Sequence, residues 1–361
     1  MEEVIALVLA AGKGTRMKSK LPKVLHKAGG VPMVGQVLRA VKDAGTKREI
    51  VVVGFGAEAV TAYVGETAET VVQKEQLGTG HAVLQAESLL QGEKGILLVT
   101  CGDTPLVRTE TFRALLDCHK KTQASATVLT ACMPDPTGYG RVIRSADGKV
   151  SKIVEQKDGT SQELAVNEVN AGIYCFELPE LWELLHRIGN NNAQGEYYLT
   201  DIIGMLVADG KTVSAVAAED YRETLGVNSR LQLAQAEKIL RERKLEELMT
   251  EGVTVQDPSN TYVETTVTVG RDTVLYAGTV LEGRTVIGEN CEIGPFVRLT
   301  NVVMGDGNSL QYTYAHDCTI ENNLTAGPFV HFRPKTHIED HVKVGNFMEV
   351  KNSHIGEGTK L

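Results

Sequence analysis

The sequence has few aromatic residues and no organised cysteines. Aromatic side chains make up 5% of the 361 residues, with one Trp, and the six cysteines are scattered without a C-x-x-C pair. This spacing excludes a thioredoxin-like redox motif and a cysteine-based zinc site. It is typical of proteins kept in a reducing compartment.

Long apolar runs and an excess of positive charge are also missing. No stretch reaches the roughly 18 apolar residues of a membrane span, and the start, "MEEVIALVLAAG", has two acids where a secretory signal carries positive charge. The net charge of −9 argues against a nucleic-acid-binding surface, which needs clustered Lys and Arg. We therefore expect a cytoplasmic protein with small-molecule ligands and no nucleic-acid or membrane partner.

The first two thirds of the chain predict an α/β domain. Up to about residue 228, short apolar runs such as "EIVVVG" and "GILLVTCGD" alternate with amphipathic segments such as "TFRALLDCHKK". This alternation is typical of βα units that form a mostly parallel sheet with helices on both faces. The pair "GYGRVIR" and "GKVSKIVEQKD" predicts a hairpin that forms a lid or side wall.

A glycine turn follows the first strand. The run Val4–Leu9 is continuously apolar, which predicts a strand buried on both faces, and "LAAGKGTRM" then begins at the edge where open α/β sheets bind ligands. Gly12 and Gly14 allow successive amide groups to face one anion, and three basic residues lie nearby. The pattern matches neither common phosphate-loop motif. By itself it fits a phosphate loop and a structural turn equally well.

The remainder of the chain has a different periodicity. The segment from Ser229 to about Glu251 predicts one long helix with a serine cap and an apolar face that includes Leu231. After it, aliphatic residues recur every six positions, slip near residue 304 and resume, a pattern typical of a hexapeptide β-helix. The inward positions are Val269, Leu275, Leu281, Ile287, Ile293, Leu299, then Ile320, Ala326, Phe332, Ile338, Val344 and Val350.

Three polar residues are candidates for chemistry. Asp103 in "GDTPL" follows a predicted strand, Asn228 lies in "LGVNSR", and Lys23 lies in "LPKVL". An aspartate at such an edge can hold Mg²⁺ beside a triphosphate, although a lone one is more often a turn former. The histidines of "HFRPKTHIEDH" favour surface positions over a metal site.

In combination, these segments resemble one family over nearly the whole chain: the bifunctional bacterial N-acetylglucosamine-1-phosphate uridylyltransferase and glucosamine-1-phosphate acetyltransferase. The resemblance lies in "LAAGKGTRM", "LPKVLH", "EQLGTGHA", "GDTPL", "NAQGEYYLTD", "GVNSRLQL" and "GPFVHFRP". It implies a Rossmann-like nucleotidyltransferase domain at 1–230, a linker helix at 231–251 and a left-handed parallel β-helix at 252–361.

The resemblance also implies roles for individual residues. The residues implied to contact the nucleotide are Leu9, Ala10, Ala11, Gly12, Cys101 and Gly102, with Gln73, Gly78 and Thr79 recognising uracil. Arg16 and Lys23 would neutralise phosphate charge as the catalytic residues, and Asp103 and Asn228 would hold Mg²⁺. Gly140, Glu155 and Asn170 would line the sugar pocket. Arg333 and Lys351 would bind the phosphate of glucosamine-1-phosphate.

The implied activity is Mg²⁺-dependent transfer of a uridylyl group from UTP to N-acetylglucosamine-1-phosphate, which supplies UDP-N-acetylglucosamine for cell-wall and lipopolysaccharide precursors. The family also acetylates glucosamine-1-phosphate with acetyl-CoA and forms homotrimers. The chain stops at Leu361 within a repeat, before the family's acetyl-transfer histidine, so we expect a truncated β-helix and no acetyl transfer. Phe332, Lys335 and the stretch "SLQYTYAHDCTIENNLT" depart from the repeat.

Two alternatives remain open. One is a related sugar-1-phosphate nucleotidyltransferase, acting on glucose-1-phosphate, with a regulatory β-helix. The other is a non-catalytic trimeric assembly protein. The presence of both Asp103 and Asn228 argues against the second alternative, because a scaffold has no use for two metal ligands.

Overall fold

The computed structural model describes residues 3–361, which form two compact units. The first comprises the residues up to His26 and Pro32–Ala236, and the second comprises Lys27–Val31 and Glu237–Leu361. The short segment Lys27–Val31 therefore groups with the second unit, which the sequence did not predict. Among the residues described, no helix combines the length and apolar character needed to cross a membrane.

The first eleven strands and nine helices precede the hexapeptide region. The strands are β1 Val4–Ala10, β2 Lys27–Ala28, β3 Val31–Pro32, β4 Arg48–Val53, β5 Glu69–Val72, β6 Gly95–Cys101, β7 Ala126–Cys132, β8 Arg141–Arg144, β9 Val150–Val154, β10 Glu168–Leu178 and β11 Val213–Ala217. The helices are α1 Met33–Asp43, α2 Ala57–Val64, α3 Thr79–Leu84, α4 Glu87–Leu90, α5 Thr109–Thr122, α6 Ser161–Leu164, α7 Glu180–Leu185, α8 Asp201–Ala208 and α9 Arg230–Thr250.

The main sheet of the first unit has the order β11-β7-β10-β6-β1-β4-β5. Strand β10 runs antiparallel to β6 and β7, and the other neighbours on this path are parallel. Strands β8 and β9 form an antiparallel hairpin attached to β10. The mostly parallel sheet and the hairpin are both confirmed.

Strand β1 is buried on both faces. Leu7 packs in one core with Ile50 and Leu97, whereas Ala6 and Val8 belong to a second core on the opposite face. Successive side chains of a strand point to opposite faces, so helices must cover both sides of the sheet. The continuous apolar run in the sequence is the consequence of this two-sided burial.

Helix α9 begins at the predicted serine cap. The Gln232 N–H donates to Ser229 Oγ at 3.3 Å, and Gln232 Oε1 accepts from the Asn228 N–H at 2.9 Å. The predicted apolar face is wrong at its start, since Leu231 is 71% exposed. The first turns bury Ala236 instead, and the buried stripe shifts to Leu240, Leu245 and Leu248 further along.

The second unit is a left-handed parallel β-helix of short strands. They are β12 Thr254–Val255, β13 Tyr262–Val263, β14 Thr268–Val269, β15 Val274–Leu275, β16 Val280–Glu282, β17 Val286–Ile287, β18 Glu292–Ile293, β19 Arg298–Thr300, β20 Val303–Met304, β21 Ser309–Leu310, β22 Thr313–His316, β23 Thr319–Ile320, β24 Thr325–Ala326, β25 Val330–Phe332, β26 His337–Ile338, β27 Lys343–Val344, β28 Glu349–Val350 and β29 His354–Ile355. Every third strand stacks into the same sheet, giving three six-stranded parallel sheets.

The predicted inward positions are all buried, and the irregular stretch is a pair of shortened coils. Leu281 pairs with Leu299 eighteen residues later, Leu299 with Ala315 after sixteen, and Ala315 with Phe332 after seventeen. A coil can therefore be shorter by one or two residues at a corner and still keep its inward-pointing strand residues in register. Phe332 is fully buried between Ala315 and Val350, so the small alanine leaves room for its ring.

Candidate functional site

A cleft lies at the carboxyl ends of β1 and β6 in the first unit. Leu9 pairs with Cys101 across these strands, and the Gly102 N–H donates to the Leu9 carbonyl at 2.9 Å. The cleft has a volume of about 260 Å³. Ten of the residues predicted for the nucleotide site line it: Leu9, Ala10, Ala11, Gly12, Lys23, Gln73, Gly78, Thr79, Cys101 and Asp103.

Lys23 joins the two predicted metal ligands. Its ammonium group forms a close ion pair with Asp103 Oδ2 and donates to Asn228 Oδ1 at 2.9 Å. The Val227 N–H donates to the Asp103 carbonyl at 2.8 Å, which ties the segment before α9 to the loop after β6. The side chains of Lys23 and Asp103 are only 12% and 18% exposed. The carboxylate and amide oxygens converge on one point and are of the kind that hard cations such as Mg²⁺ take as ligands.

The two glycines of the turn have different surroundings. Gly14 has φ of 57°, and a Cβ there would lie 2.6 Å from Lys23 Cβ, so this glycine lets the Lys23 stem pack against the turn. A Cβ at Gly12 would meet no protein atom within 4 Å, and Gly12 lines the cleft. No contact within the described chain requires a glycine at position 12. Its missing side chain instead leaves the cleft open.

Gln73 lies just after β5, on a loop held in place by the segment around Tyr197. The Gly80 N–H donates to the Tyr197 carbonyl at 2.8 Å, and the Leu199 N–H donates to Thr79 Oγ1 at 3.1 Å. The Gln73 side-chain nitrogen donates to the Gly78 carbonyl at 3.2 Å. Gln73 is 4% exposed yet borders the cleft, which fits a buried amide that meets a ligand.

The three predicted sugar residues form a neighbouring group. The Asn170 N–H donates to the Gly140 carbonyl at 2.9 Å, and a Cβ on Gly140 would lie 3.4 Å from Glu155 Oε1. Glu155 lines a second cavity of about 310 Å³ and accepts a hydrogen bond from the Thr200 hydroxyl at 3.2 Å. Burial raises the pKa of Glu155 above its usual range. The Asn170 side chain is engaged with Tyr174 Oη at 2.6 Å.

Some predicted residues lie outside the cleft lining. Arg16 is exposed on a 3₁₀ turn at Thr15–Met17, and Gly102 packs against Val24 and Ala10. Cys101 does line the cleft, but burial raises its pKa to about 12, which makes it a thiol and a poor nucleophile.

Sequence reasoning missed two polar lining residues, Gln76 and Glu196, besides the apolar Val24 and Ala82. Both polar residues lie inside quoted motifs, "EQLGTGHA" and "NAQGEYYLTD". The signal was present, but the resemblance assigned no role to either position.

In the second unit, Arg333 and Lys351 lie on successive coils. Phe332 pairs with Val350, and the Arg333 N–H donates to the Val350 carbonyl at 2.8 Å, so the two basic residues follow neighbouring strands of one sheet. Arg333 Nη1 also contacts Glu349 Oε1 at 2.7 Å. The pair can therefore face one anion together, with Glu349 offsetting part of the charge of Arg333.

The first unit is a doubly wound sheet that carries a glycine turn, a lysine and two candidate oxygen ligands at its carboxyl edge. Hexapeptide coils follow it in the chain. Together these features define a nucleotidyltransferase fused to a β-helix. The family model for nucleotidyl transferases matches residues 5–238, and the model for bacterial transferase hexapeptides, with six repeats, matches residues 266–301.

Curated relatives identify the family. Bifunctional protein GlmU of Geobacillus sp. (strain WCH70) is 53% identical over 355 residues, covering 98% of this chain and 77% of the relative. Those of Halalkalibacterium halodurans and Enterococcus faecalis are 48% and 46% identical, and each alignment covers 100% of this chain and 79% of the relative. The chain belongs to the GlmU family of bifunctional proteins.

Proposed function

We propose that this chain transfers the uridylyl group of UTP to N-acetylglucosamine-1-phosphate in the cytoplasm, with release of pyrophosphate. The observation that carries the proposal is the junction of Lys23 and Asp103, which line the cleft of the glycine turn, with Asn228, which is bonded to Lys23. These three residues are far apart in sequence. Their convergence beside a glycine whose Cβ would project into open space supports a site for a phosphate chain with its cation.

The chemistry is an in-line displacement. An oxygen of the sugar phosphate forms a bond to the α-phosphorus of UTP, and the bond to the leaving pyrophosphate breaks and gives its electron pair to that group. Lys23 offsets the repulsion between the two anions. Asp103 and Asn228 would hold Mg²⁺, which when bound stabilises charge on the phosphoryl oxygens. No general base is required, because a phosphate monoester with a second pKa of about 6 is mostly dianionic at pH 7.

The group formed by Gly140, Glu155 and Asn170 is proposed to receive the sugar. Hydroxyl and acetamido groups need hydrogen-bond partners when they leave water. The carboxyl of Glu155 and the amide of Asn170, which the backbone bond between Asn170 and Gly140 brings close together, supply such partners.

A second site is proposed on the β-helix. Arg333 and Lys351 would bind the phosphate of glucosamine-1-phosphate, with acetyl-CoA as the acetyl donor of the family's second reaction. Their neighbouring coils support this pairing.

We also propose a homotrimer through the flat faces of the β-helix. Sedimentation that shows only monomer at micromolar concentration would contradict the homotrimer.

The experiment is an assay of pyrophosphate release with a panel of nucleotides and sugar phosphates, with and without Mg²⁺. We expect release with UTP and N-acetylglucosamine-1-phosphate, and none without a divalent cation. A preference for glucose-1-phosphate would identify the related pyrophosphorylase instead. No release with any pair would leave the assembly protein as the better explanation.

A further inference from the structure

His81, which contacts Gln73 of the loop proposed to recognise uracil, has no role in the reaction proposed above. His81 lies on α3, and its Nδ1 is 3.0 Å from the side-chain nitrogen of Gln73. Unlike Gln73, it does not border the nucleotide cleft but lines a separate cavity together with Leu185, His186 and Ile188. His81 therefore reaches the nucleotide only through Gln73.

The orientation of the Gln73 amide follows from its partners. The Gly78 carbonyl can only accept a hydrogen bond, so the atom 3.2 Å from it must be the NH₂ group of Gln73. The same nitrogen faces His81 Nδ1, which makes Nδ1 an acceptor and places the imidazole proton on Nε2. Both donors of the amide are thus committed to the protein.

The carbonyl oxygen of Gln73 is left for the ligand. In residues 3–361, the side-chain hydrogen bonds of Gln73 run through its nitrogen, and its backbone carbonyl accepts from Gln76. Since Gln73 borders the cleft, the group that it offers there is an acceptor. Uracil carries an N–H donor at N3, whereas cytosine carries an unprotonated acceptor nitrogen at that position.

We propose that His81 is a positioning residue that locks the Gln73 amide with its carbonyl toward the cleft, and so selects bases with an N3–H over cytosine. This inference rests on the proposed use of UTP. If the Gln73 amide were reversed, its NH₂ group would face the N3–H of uracil, and two donors would oppose each other. Unpaired polar groups of this kind are what allow a polar site to reject the wrong ligand.

Gln85 influences the same lock from the opposite side of the ring. Its amide nitrogen lies 3.2 Å from His81 Nε2 and donates to the His81 carbonyl at 2.9 Å. A protonated Nε2 and this amide nitrogen would both be donors. By the same rule the His81 carbonyl holds the Gln85 NH₂ beside Nε2, yet a neutral imidazole accepts at only one ring nitrogen. An unpaired donor on buried Gln73 costs more than turning half-buried Gln85 toward water, so the tautomer that accepts at Nδ1 is favoured. A carboxylate at position 85 would accept from Nε2–H and strengthen the lock.

The test compares kcat/KM for UTP and for CTP in pyrophosphate release. His81→Phe keeps a ring of similar size but removes the acceptor. We expect the ratio of kcat/KM for UTP to that for CTP to fall by about tenfold or more, because the contribution of roughly one hydrogen bond to discrimination is lost. His81→Gln offers a carbonyl in place of Nδ1 and is expected to restore part of the ratio. Gln85→Glu is expected to raise it.

The matched control is His186→Phe. His186 lines the same cavity but contacts Glu87 at 3.0 Å, so the same substitution there is expected to leave the ratio unchanged. Thermal melting checks that each variant is folded, and calorimetric affinities for UTP and CTP replace rates if a variant turns over too slowly.

An unchanged ratio in folded His81→Phe, by rate or by affinity, overturns the inference while the proposed function stands. A ratio that falls equally in His186→Phe also overturns it, because cavity packing would then be the cause. No pyrophosphate release by the unsubstituted protein contradicts the proposed function itself, and the inference falls with it.

Discussion

The two units of this molecule use the same kinds of apolar residue in opposite ways. In the first unit, β1 sends alternate side chains into two cores, and its neighbours β4 and β6 arrive from residues about 45 and 90 positions further along the chain. In the second unit, each coil rests on the next, sixteen to eighteen residues away. Its core is made by inward side chains of the strands together with buried residues just before them, such as Val267 and Cys291. Long-range assembly builds the cleft, and local repetition builds the coils.

This difference explains where the candidate chemistry lies. Lys23, Asp103 and Asn228 meet only because the strand order brings their loops to one edge. A repeat protein distributes its stability over nearest-neighbour contacts, so the coils can shorten at a corner without losing the core. We therefore expect substitutions in the coils to change stability, and substitutions at the cleft to change turnover.

The largest effect is expected from a cavity in the coils. Leu281 is fully buried, and Leu281→Ala is expected to lower the free energy of unfolding of the β-helix by about 2–5 kcal/mol while kcat/KM for UTP is kept. Denaturant unfolding and pyrophosphate release measure the two quantities. Leu231→Ala, at a 71% exposed position, is the control. Loss of nucleotidyl transfer in folded Leu281→Ala would break the comparison between the units.

Acid is expected to act on the first unit through a buried histidine. His119 Nδ1 lies 2.8 Å from Thr127 Oγ1 and its Nε2 lies 3.2 Å from Glu177 Oε1, but burial outweighs this carboxylate and, aided by Lys120, lowers the pKa of His119 to about 4. The folded protein keeps this imidazole neutral where the unfolded chain, with a pKa near 6.5, binds a proton. Stability therefore falls as the pH drops from about 6.5 to about 4, by about 3 kcal/mol. His119→Gln is expected to flatten this dependence, and an equally steep melting profile in the variant would contradict the assignment.

The next effect concerns turnover alone. Asp103→Ala removes the proposed charged oxygen ligand and the partner of Lys23, so kcat is expected to fall at least ~100-fold, about 2.7 kcal/mol of barrier. Asp209→Ala, at a surface aspartate paired with Arg187, is the matched control. If Asp103→Ala were nearly as active as the control at modest Mg²⁺ concentration, the assignment of Asp103 as a Mg²⁺ ligand would be contradicted.

The smallest effect separates the two glycines of the turn. Gly14→Ala forces a left-handed residue against the Lys23 stem and is expected to cost about 1–2 kcal/mol of stability. Gly12→Ala meets no protein atom, so its melting temperature is expected to hold while KM for UTP rises about tenfold, about 1.4 kcal/mol. Equal losses of stability in both variants would show that Gly12, too, is a structural turn residue.

The sequence predicted what depends on local pattern. The two-sided burial of β1, the serine cap of α9 and the inward residues of the coils follow from periodicity and caps, which act over a few residues. The sixteen-residue step from Leu299 to Ala315 could not be predicted from a six-residue period, because a coil that is two residues shorter still stacks its inward strand residues in register. The exposure of Leu231 was also missed, since only the packing of the first turns of α9 decides which face is buried.

The sequence predicted which residues form the candidate site better than it predicted the contacts between them. Motif resemblance placed ten residues around one cleft, but it gave no reason for Lys23 to bridge Asp103 and Asn228, because that contact depends on strand order. The resemblance assigned Arg16 to phosphate, and the structure leaves it exposed outside the cleft lining. Gln76 and Glu196 border the cleft through the fold of their loops alone.

Hydrogen–deuterium exchange of the protein with and without UTP and Mg²⁺ tests the central claim most directly, because it locates nucleotide binding without depending on turnover. We predict slower exchange in the turn at residues 9–18, the loop at 73–79 and the segment 101–104, with no change in residues 252–361. Protection confined to the coils, or no protection at saturating UTP, would contradict the assignment of the cleft as the nucleotide site.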